Sequence, residues 1–164
     1  MTDDSYQLDQ VLLVDDDPIL VAVVSSYLTE GRVKKIYAAN NGIEALSILY
    51  ERCHEIELIV CDLNMPEIDG FQFLRRVHEC GYSGAVAILS GEEHSVISLA
   101  KNVADQHELN VVGALSKPLC FTELDDVVAT AKAGGYLPRL DSGSVLTEKQ
   151  LRTALVLGHI QPYY

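Results

Sequence analysis

The sequence predicts a doubly wound α/β domain, and three observations carry that prediction. Apolar runs of strand length alternate with amphipathic stretches of helix length, the pattern of a parallel sheet with helices on both faces. Val11 to Val14, Leu58 to Cys61, Ala85 to Leu89 and Val111 to Leu115 are almost uninterruptedly apolar, as strands covered on both faces must be. These runs finish on polar groups: Asp15-Asp16-Asp17, Asp62, Ser90 and Ser116-Lys117.

The elements follow in order. After the first strand, Asp17-Pro18 supplies an N-cap and a proline at the first helical position, so a helix runs from there to about Thr29 and ends at Gly31. The second strand, Lys34 to Ala38, carries Lys34 and Lys35 and is placed at a sheet edge. Asn41-Gly42 opens a second helix with Ile43, Leu46, Ile48 and Leu49 toward the sheet. A third helix follows Asp69-Gly70, with Phe71, Phe73, Leu74 and Val77 as its apolar positions. A fourth is predicted over Glu93 to Gln106, and a fifth from near Thr122 with Leu124, Val127, Val128 and Ala131 inward. These five strands and five helices make one domain over residues 7–132. Glycine, proline and serine then mark a linker over residues 133–146. A helical extension restarts within residues 147–164, offering Leu146, Leu151, Leu155 and Val156 for one face.

A chain of 164 residues suits one domain plus an appendage. Its formal charge of -12 repels nucleic acid and anionic membrane, so neither is expected as a direct partner. Cys53, Cys61, Cys80 and Cys120 show no CxxC pairing and read as unpaired core or near-core residues of a reducing cytosol. No basic stretch followed by an apolar one opens the chain, and no apolar run approaches the ~20 residues of a membrane span. A cytoplasmic protein is expected. His54, His78, His94, His107 and His159 stand at no metal spacing and read as surface residues.

In open parallel sheets ligands bind outside the carboxyl ends of the strands, where Asp15, Asp16, Asp62, Ser90 and Lys117 all fall. Clustered carboxylates repel one another and call for a cation. With only oxygen donors at hand, magnesium fits better than a softer metal. Cys61 is turned away from Asp62, because strand neighbours alternate.

Val14-Asp15-Asp16, the loop Asp62-Leu63-Asn64-Met65-Pro66-Glu67-Ile68-Asp69-Gly70, Ser90 and Lys117-Pro118 together resemble the receiver domain of two-component response regulators. Asn41-Gly42-Ile43-Glu44-Ala45-Leu46 resembles that family's second-helix opening. The resemblance implies a flavodoxin-like sheet in strand order 2-1-3-4-5. It implies Asp62 as the phosphoacceptor, attacking a phosphohistidine on a sensor histidine kinase or phosphotransfer protein. Asp15, Asp16, Asp62 and the backbone carbonyl of Asn64 are implied as Mg2+ ligands, Asp16 directly and Asp15 mostly through water. Ser90 is implied to bond one phosphoryl oxygen and Lys117 another, with Gly91, Glu92 and Pro118 beside the site and a cis bond before Pro118. Asn64 and Glu92 flank the implied path of the water that removes the phosphoryl group. Ala114 stands where many members carry an aromatic switch residue, and the segment Asp105 to Asn110 is longer than the family's usual one. Members commonly form homodimers through the fourth-helix to fifth-helix face or through an extended fifth helix, so a homodimer is an implied assembly.

Leu151-Arg152-Thr153-Ala154-Leu155 through Gly158-His159-Ile160-Gln161-Pro162-Tyr163-Tyr164 resembles the start of EAL-type cyclic di-GMP phosphodiesterase domains. That implies an attached EAL-like output whose catalytic residues all lie beyond this chain. The expected function is a phosphorylation-dependent switch that turns over no external metabolite. The alternative is a receiver-like interaction module independent of phosphate, which Ala114 favours. A phosphatase using Asp62 as nucleophile ranks below both, since the position two beyond it is Asn64 rather than an acid.

Overall fold

The computed structural model describes residues 7–65, 67–68, 70–91, 102, 106 and 108–134. Of the helix predicted over 93–106 only Asn102 and Gln106, both helical, fall within these residues, and most of the linker and the tail fall outside them. The elements are β1 (Leu8–Val14), α1 (Pro18–Thr29), β2 (Val33–Ala39), α2 (Gly42–Arg52), β3 (Leu58–Asp62), α3 (Gly70–Glu79), β4 (Ala85–Ser90), β5 (Asn110–Ser116) and α4 (Phe121–Lys132). All strand pairs are parallel, in the order β2-β1-β3-β4-β5. The predicted sheet is therefore present, with the lysine-bearing β2 at one edge. β1 starts earlier than its apolar run because Leu8, fully buried, pairs with Val33.

Local chemistry sets the helix starts. Asp17 Oδ1 accepts from the N–H groups of Ile19 (3.0 Å) and Leu20 (3.4 Å) at the head of α1. Asn41 Oδ1 accepts from Glu44 N–H (2.8 Å) at the head of α2, and the Glu44 carboxylate reaches back to Asn40 N–H (2.8 Å).

The strands alternate two apolar sets. Leu12, Val14, Ile59 and Cys61 pack with Leu46 and Leu49 of α2 and Phe73, Leu74 and Val77 of α3. Val11, Leu13, Val60 and Leu89 pack with Val24 and Leu28 of α1 and Leu124, Val127 and Val128 of α4. Phe73 is the largest fully buried side chain. Phe73→Ala is expected to cost about 3–5 kcal/mol, read as a lower urea midpoint at unchanged slope.

Ile43, read as inward, is corrected, and Phe71, read as an apolar position of its helix, also faces out. Ile43 is 58% exposed and Phe71 38% exposed. The buried stripe of α2 is Gly42, Ala45, Leu46 and Leu49, and that of α3 is Gly70, Phe73, Leu74 and Val77. In each helix the glycine takes the inward place in the first turn and the next residue is rotated about 100° away. A Cβ at Gly42 would lie 3.3 Å from Ile68 Cβ, a tight contact that Ile68 would have to relieve by a few tenths of an ångström. All four cysteines are free; Cys61 is buried and Cys53 and Cys80 half-buried. Cys120 is exposed at the N-cap of α4, so it is not the near-core residue its apolar neighbours suggested. His54 and His78 are exposed, as expected.

A clasp joins α1 to α4. Tyr27 Oη donates to Asp125 Oδ2 (2.7 Å), Arg32 pairs with Asp125, and Arg32 Nη2 donates to Tyr27 Oη (2.9 Å). The guanidinium lies 3.8 Å from the Tyr27 ring centroid, and Tyr27 stacks on Phe121 at 4.2 Å. Burial opposes the Asp125 charge, but Arg32 and the Tyr27 hydroxyl outweigh it and hold the carboxyl below its ordinary range. A depressed acid contributes stability above its unfolded pKa and loses it as pH falls through the folded one. Asp125→Asn should therefore lower the thermal midpoint slightly at neutral pH and leave it unchanged once the carboxyl is protonated. The difference should shrink in high salt, because the pair is partly exposed.

Candidate functional site

The strand order reverses between β1 and β3, which run side by side with Val14 paired to Cys61. The next residue on each, Asp15 and Asp62, therefore leaves the sheet at the same end. Both are buried. Asp15 Oδ1 accepts from Asp17 N–H (2.8 Å), and Asp62 Oδ1 accepts from Asn64 N–H (2.9 Å). Lys117 Nζ lies 2.9 Å from Asp15 Oδ2 and 2.9 Å from Asp62 Oδ2, bridging the two strands. Only the contact to Asp62 has hydrogen-bond geometry, which leaves the buried Asp15 Oδ2 with an ion pair and no hydrogen bond.

The lysine is aimed by the backbone. Lys117 N–H donates to Ser90 O (2.9 Å), Ser90 pairs with Ser116, and the Lys117-Pro118 bond is cis as the resemblance implied. Ser90 is buried at the end of β4, while Asp16, Asn64, Gly91 and Pro118 are exposed around the mouth. Glu92 lies outside the described residues. The fold thus brings Asp15, Asp16, Asp62, Ser90 and Lys117 to one end of the sheet. Lys117's pairing with Asp15 was not foreseen, because the strand order alone does not tell which carboxylates the side chain reaches.

Burial raises the Asp15 carboxyl, and Asp62 adds to that, against the lowering by Asp17 N–H and Lys117. Lys117 is raised: burial opposes its charge, and the two carboxylates more than compensate. Asp15, Asp16 and Asp62 each offer an oxygen, and these atoms all lie within 4.8 Å of one another. Three carboxylate oxygens gathered this closely are the hard donors that magnesium prefers. Three carboxylates against one ammonium leave two negative charges in excess, the charge of one divalent cation. The donor set, the excess charge and the unsatisfied Asp15 oxygen all fit Mg2+.

The loop after β3 is held at both ends. Leu63 N–H donates to Leu89 O (3.2 Å), and Gly70 N–H donates to Leu63 O (3.2 Å). A Cβ on Gly70 would sit 2.5 Å from Leu63 Cα. This contact escaped the sequence reading, although a glycine at the first position of a helix is a hint of close approach.

A sequence model described as response regulator receiver domain matches residues 11–129. The chain is 27% identical over 146 residues to the probable transcriptional regulator ycf29 of Pyropia yezoensis, covering 89% of this chain and 62% of the relative. It is 29% identical over 157 residues to the cyclic di-GMP phosphodiesterase RocR of Pseudomonas aeruginosa, covering 94% of this chain and 40% of the relative. The chain thus spans less than two thirds of the length of either curated relative. Among solved structures, a response regulator receiver domain protein from Clostridium thermocellum superposes with a TM-score of 0.68 at 24% identity, covering 77% of this chain and 96% of the other. Matched through most of its length and folded in the same strand order, the chain belongs to the response regulator receiver domain family, the phosphoacceptor switches of two-component systems.

Proposed function

We propose that Asp62 is the phosphoacceptor of a receiver that controls an output concerned with cyclic di-GMP hydrolysis. The observation that carries the first half is the Asp62 carboxylate itself, buried and oriented by Asn64 N–H on one oxygen and by Lys117 on the other. Receiver domains take their phosphoryl group from histidine kinases or phosphotransfer proteins. One Asp62 oxygen forms the new O–P bond while the P–N bond of the donor's phosphohistidine breaks, the electron pair leaving on the imidazole nitrogen. Lys117 stays near the charge that develops on the phosphoryl oxygens, and Ser90 donates its hydroxyl to one of them. Asp15, Asp16, Asp62 and the Asn64 carbonyl would hold Mg2+, which when bound supplies further charge compensation. Asn64 lies beside the path for hydrolytic water, so Asn64→Ala should change the acyl phosphate lifetime severalfold.

Support for the cyclic di-GMP output is the RocR match, whose 157 residues exceed the domain ending at Lys132 and so run into the tail. No described helix is long and apolar enough to cross a membrane. The second reading, a phosphate-independent interaction module, draws on Ala114, buried on β5 without a ring to swing.

The test is thermal unfolding with magnesium and beryllofluoride, alone and together. A ligand at a hundred times its Kd stabilises by about 2.7 kcal/mol, a rise of roughly 5–10 °C here. The rise is expected only with both reagents and is lost in Asp62→Ala. A wild type that does not respond would favour the second reading.

A further inference from the structure

The end of the sheet opposite the acidic site gathers a second set of reactive side chains. α2 and α3 each run back between parallel strands, so both finish where β3 and β4 begin. Pairing of those strands opens with Leu58 and Ala85, and Cys53 and Cys80 each stand five residues before a member of that pair. Cys53 is the C-cap of α2, and Cys80 follows the last residue of α3. The two thiols therefore lie at the same level of neighbouring helix ends. Both are half-buried and pack against the apolar cluster that contains Leu49, Ile56 and Val77.

Their surroundings give them different roles. A cavity of about 680 Å3 opens at this end, and Cys53, His54, His78 and Tyr82 are among its lining residues. Cys53 thus borders a space that admits small solutes, with two imidazoles at hand to accept a thiol proton. Cys80 Sγ donates to Val77 O at 3.1 Å. Burial raises the Cys80 thiol, and the neighbouring Cys53 adds to that against the lowering by backbone groups of Tyr82 and Cys80. A thiol held in its protonated form is a slow first nucleophile. The other two cysteines are placed differently: Cys61 is buried within the sheet, and Cys120 is exposed at the head of α4.

We propose that Cys53 and Cys80 form a reversible disulfide in response to hydrogen peroxide, with Cys53 reacting first. The Cys53 thiol gives its proton to an imidazole of the cavity or to water, and the thiolate attacks one peroxide oxygen. The O–O bond breaks, leaving a sulfenic acid on Cys53, and the departing hydroxide takes up the released proton as water. Cys80 sulfur then attacks the Cys53 sulfur; the S–S bond forms, the S–O bond breaks, and the hydroxyl leaves with the Cys80 proton as a second water. Two thiols are oxidised and one peroxide is reduced to two waters. In a reducing compartment such a bond is transient, as in redox sensors. It would tie together the ends of two helices whose heads, at Gly42 and Gly70, pack on Ile68 and Leu63 of the loop after Asp62. The chemistry needs neither phosphoryl group nor metal, so its failure leaves the reading of Asp62 untouched.

The experiment treats the reduced full chain, without magnesium, with a small molar excess of hydrogen peroxide, and reads intact mass, native mass and the unreduced peptide map. A loss of two hydrogens at unchanged native mass is expected, with a peptide pair joining Cys53 to Cys80 and full reversal by dithiothreitol. In Cys80→Ser, dimedone should capture a sulfenic acid on Cys53. In Cys53→Ser, oxidation of Cys80 should be at least about tenfold slower than disulfide formation in the parent. Cys53 and Cys80 that both remain alkylatable after peroxide would overturn the proposal. A disulfide joining two chains through Cys120 in place of the internal link would overturn it too. The peptide map of the parent protein decides the matter even if a serine variant does not fold.

Discussion

In Asp62→Asn, covalent phosphorylation by a small acyl phosphate donor with magnesium should fall to background, a loss of more than about a thousandfold by intact-mass measurement. The substitution is a sharp one. An Asn side chain occupies the same volume and still offers an oxygen to Asn64 N–H, while Lys117 keeps its second partner, Asp15. What is lost is the anionic oxygen proposed to form the O–P bond, together with one unit of charge at the proposed metal site. Lys117→Met should retain phosphorylation but slow it by about 10²-fold or more, because the removed ammonium stabilises charge without forming a bond. An Asp62→Asn variant modified at wild-type rate would remove Asp62 from the role of phosphoacceptor.

Asp15→Asn separates stability from function at the same site. Burial, the largest cause, raises the Asp15 carboxyl, so its charged form is disfavoured in the native state. An acid whose folded pKa is raised gives up stability as pH climbs through the unfolded and then the folded value. A neutral isostere should therefore raise the thermal midpoint without magnesium near neutral pH and abolish most of the magnesium-induced rise. Equal midpoints for the two proteins without metal would mean that Lys117 fully compensates the buried charge.

What was legible in the sequence and what was not divide along physical lines. Strands buried on both faces announce themselves as unbroken apolar runs, and a polar residue ending such a run must sit at the sheet's rim. That is why Asp15, Asp62, Ser90 and Lys117 could be placed beforehand. Their separate partners could not, since the strand order places the ends together but does not fix which carboxylates the Lys117 side chain reaches. Helix phase failed at Ile43 and Phe71 for a related reason. Each follows a glycine that takes the inward place, and hydrophobicity alone does not reveal that a missing side chain is the buried one. Asp17 and Asn41 were readable as caps because their bonds are local. The clasp of Tyr27, Arg32 and Asp125 was not, since it spans α1 and α4.

Gly70→Ala should produce the second large effect, and it acts on the metal site from a distance. The new Cβ would lie 2.5 Å from Leu63 Cα and 2.6 Å from Leu63 Cδ2, so backbone as well as side chain must yield. Overpacking of this kind costs about 1–3 kcal/mol. Leu63 stands between Asp62 and Asn64, and its carbonyl accepts from Gly70 N–H at 3.2 Å. Displacing it moves the Asn64 N–H that orients Asp62 Oδ1 and the Asn64 carbonyl proposed as a metal ligand. Misplacement by about an ångström can cost 10²-fold in a preorganised site. Magnesium affinity by calorimetry should fall at least tenfold, and phosphorylation with it. Gly91→Ala is the matched control, since no described residue lies within 4 Å of its added Cβ, and its stability should stay within about 0.5 kcal/mol of the parent. A Gly70→Ala protein that is destabilised yet binds magnesium normally would show that the loop absorbs the clash away from Asn64, and would sever the link between α3 packing and the site.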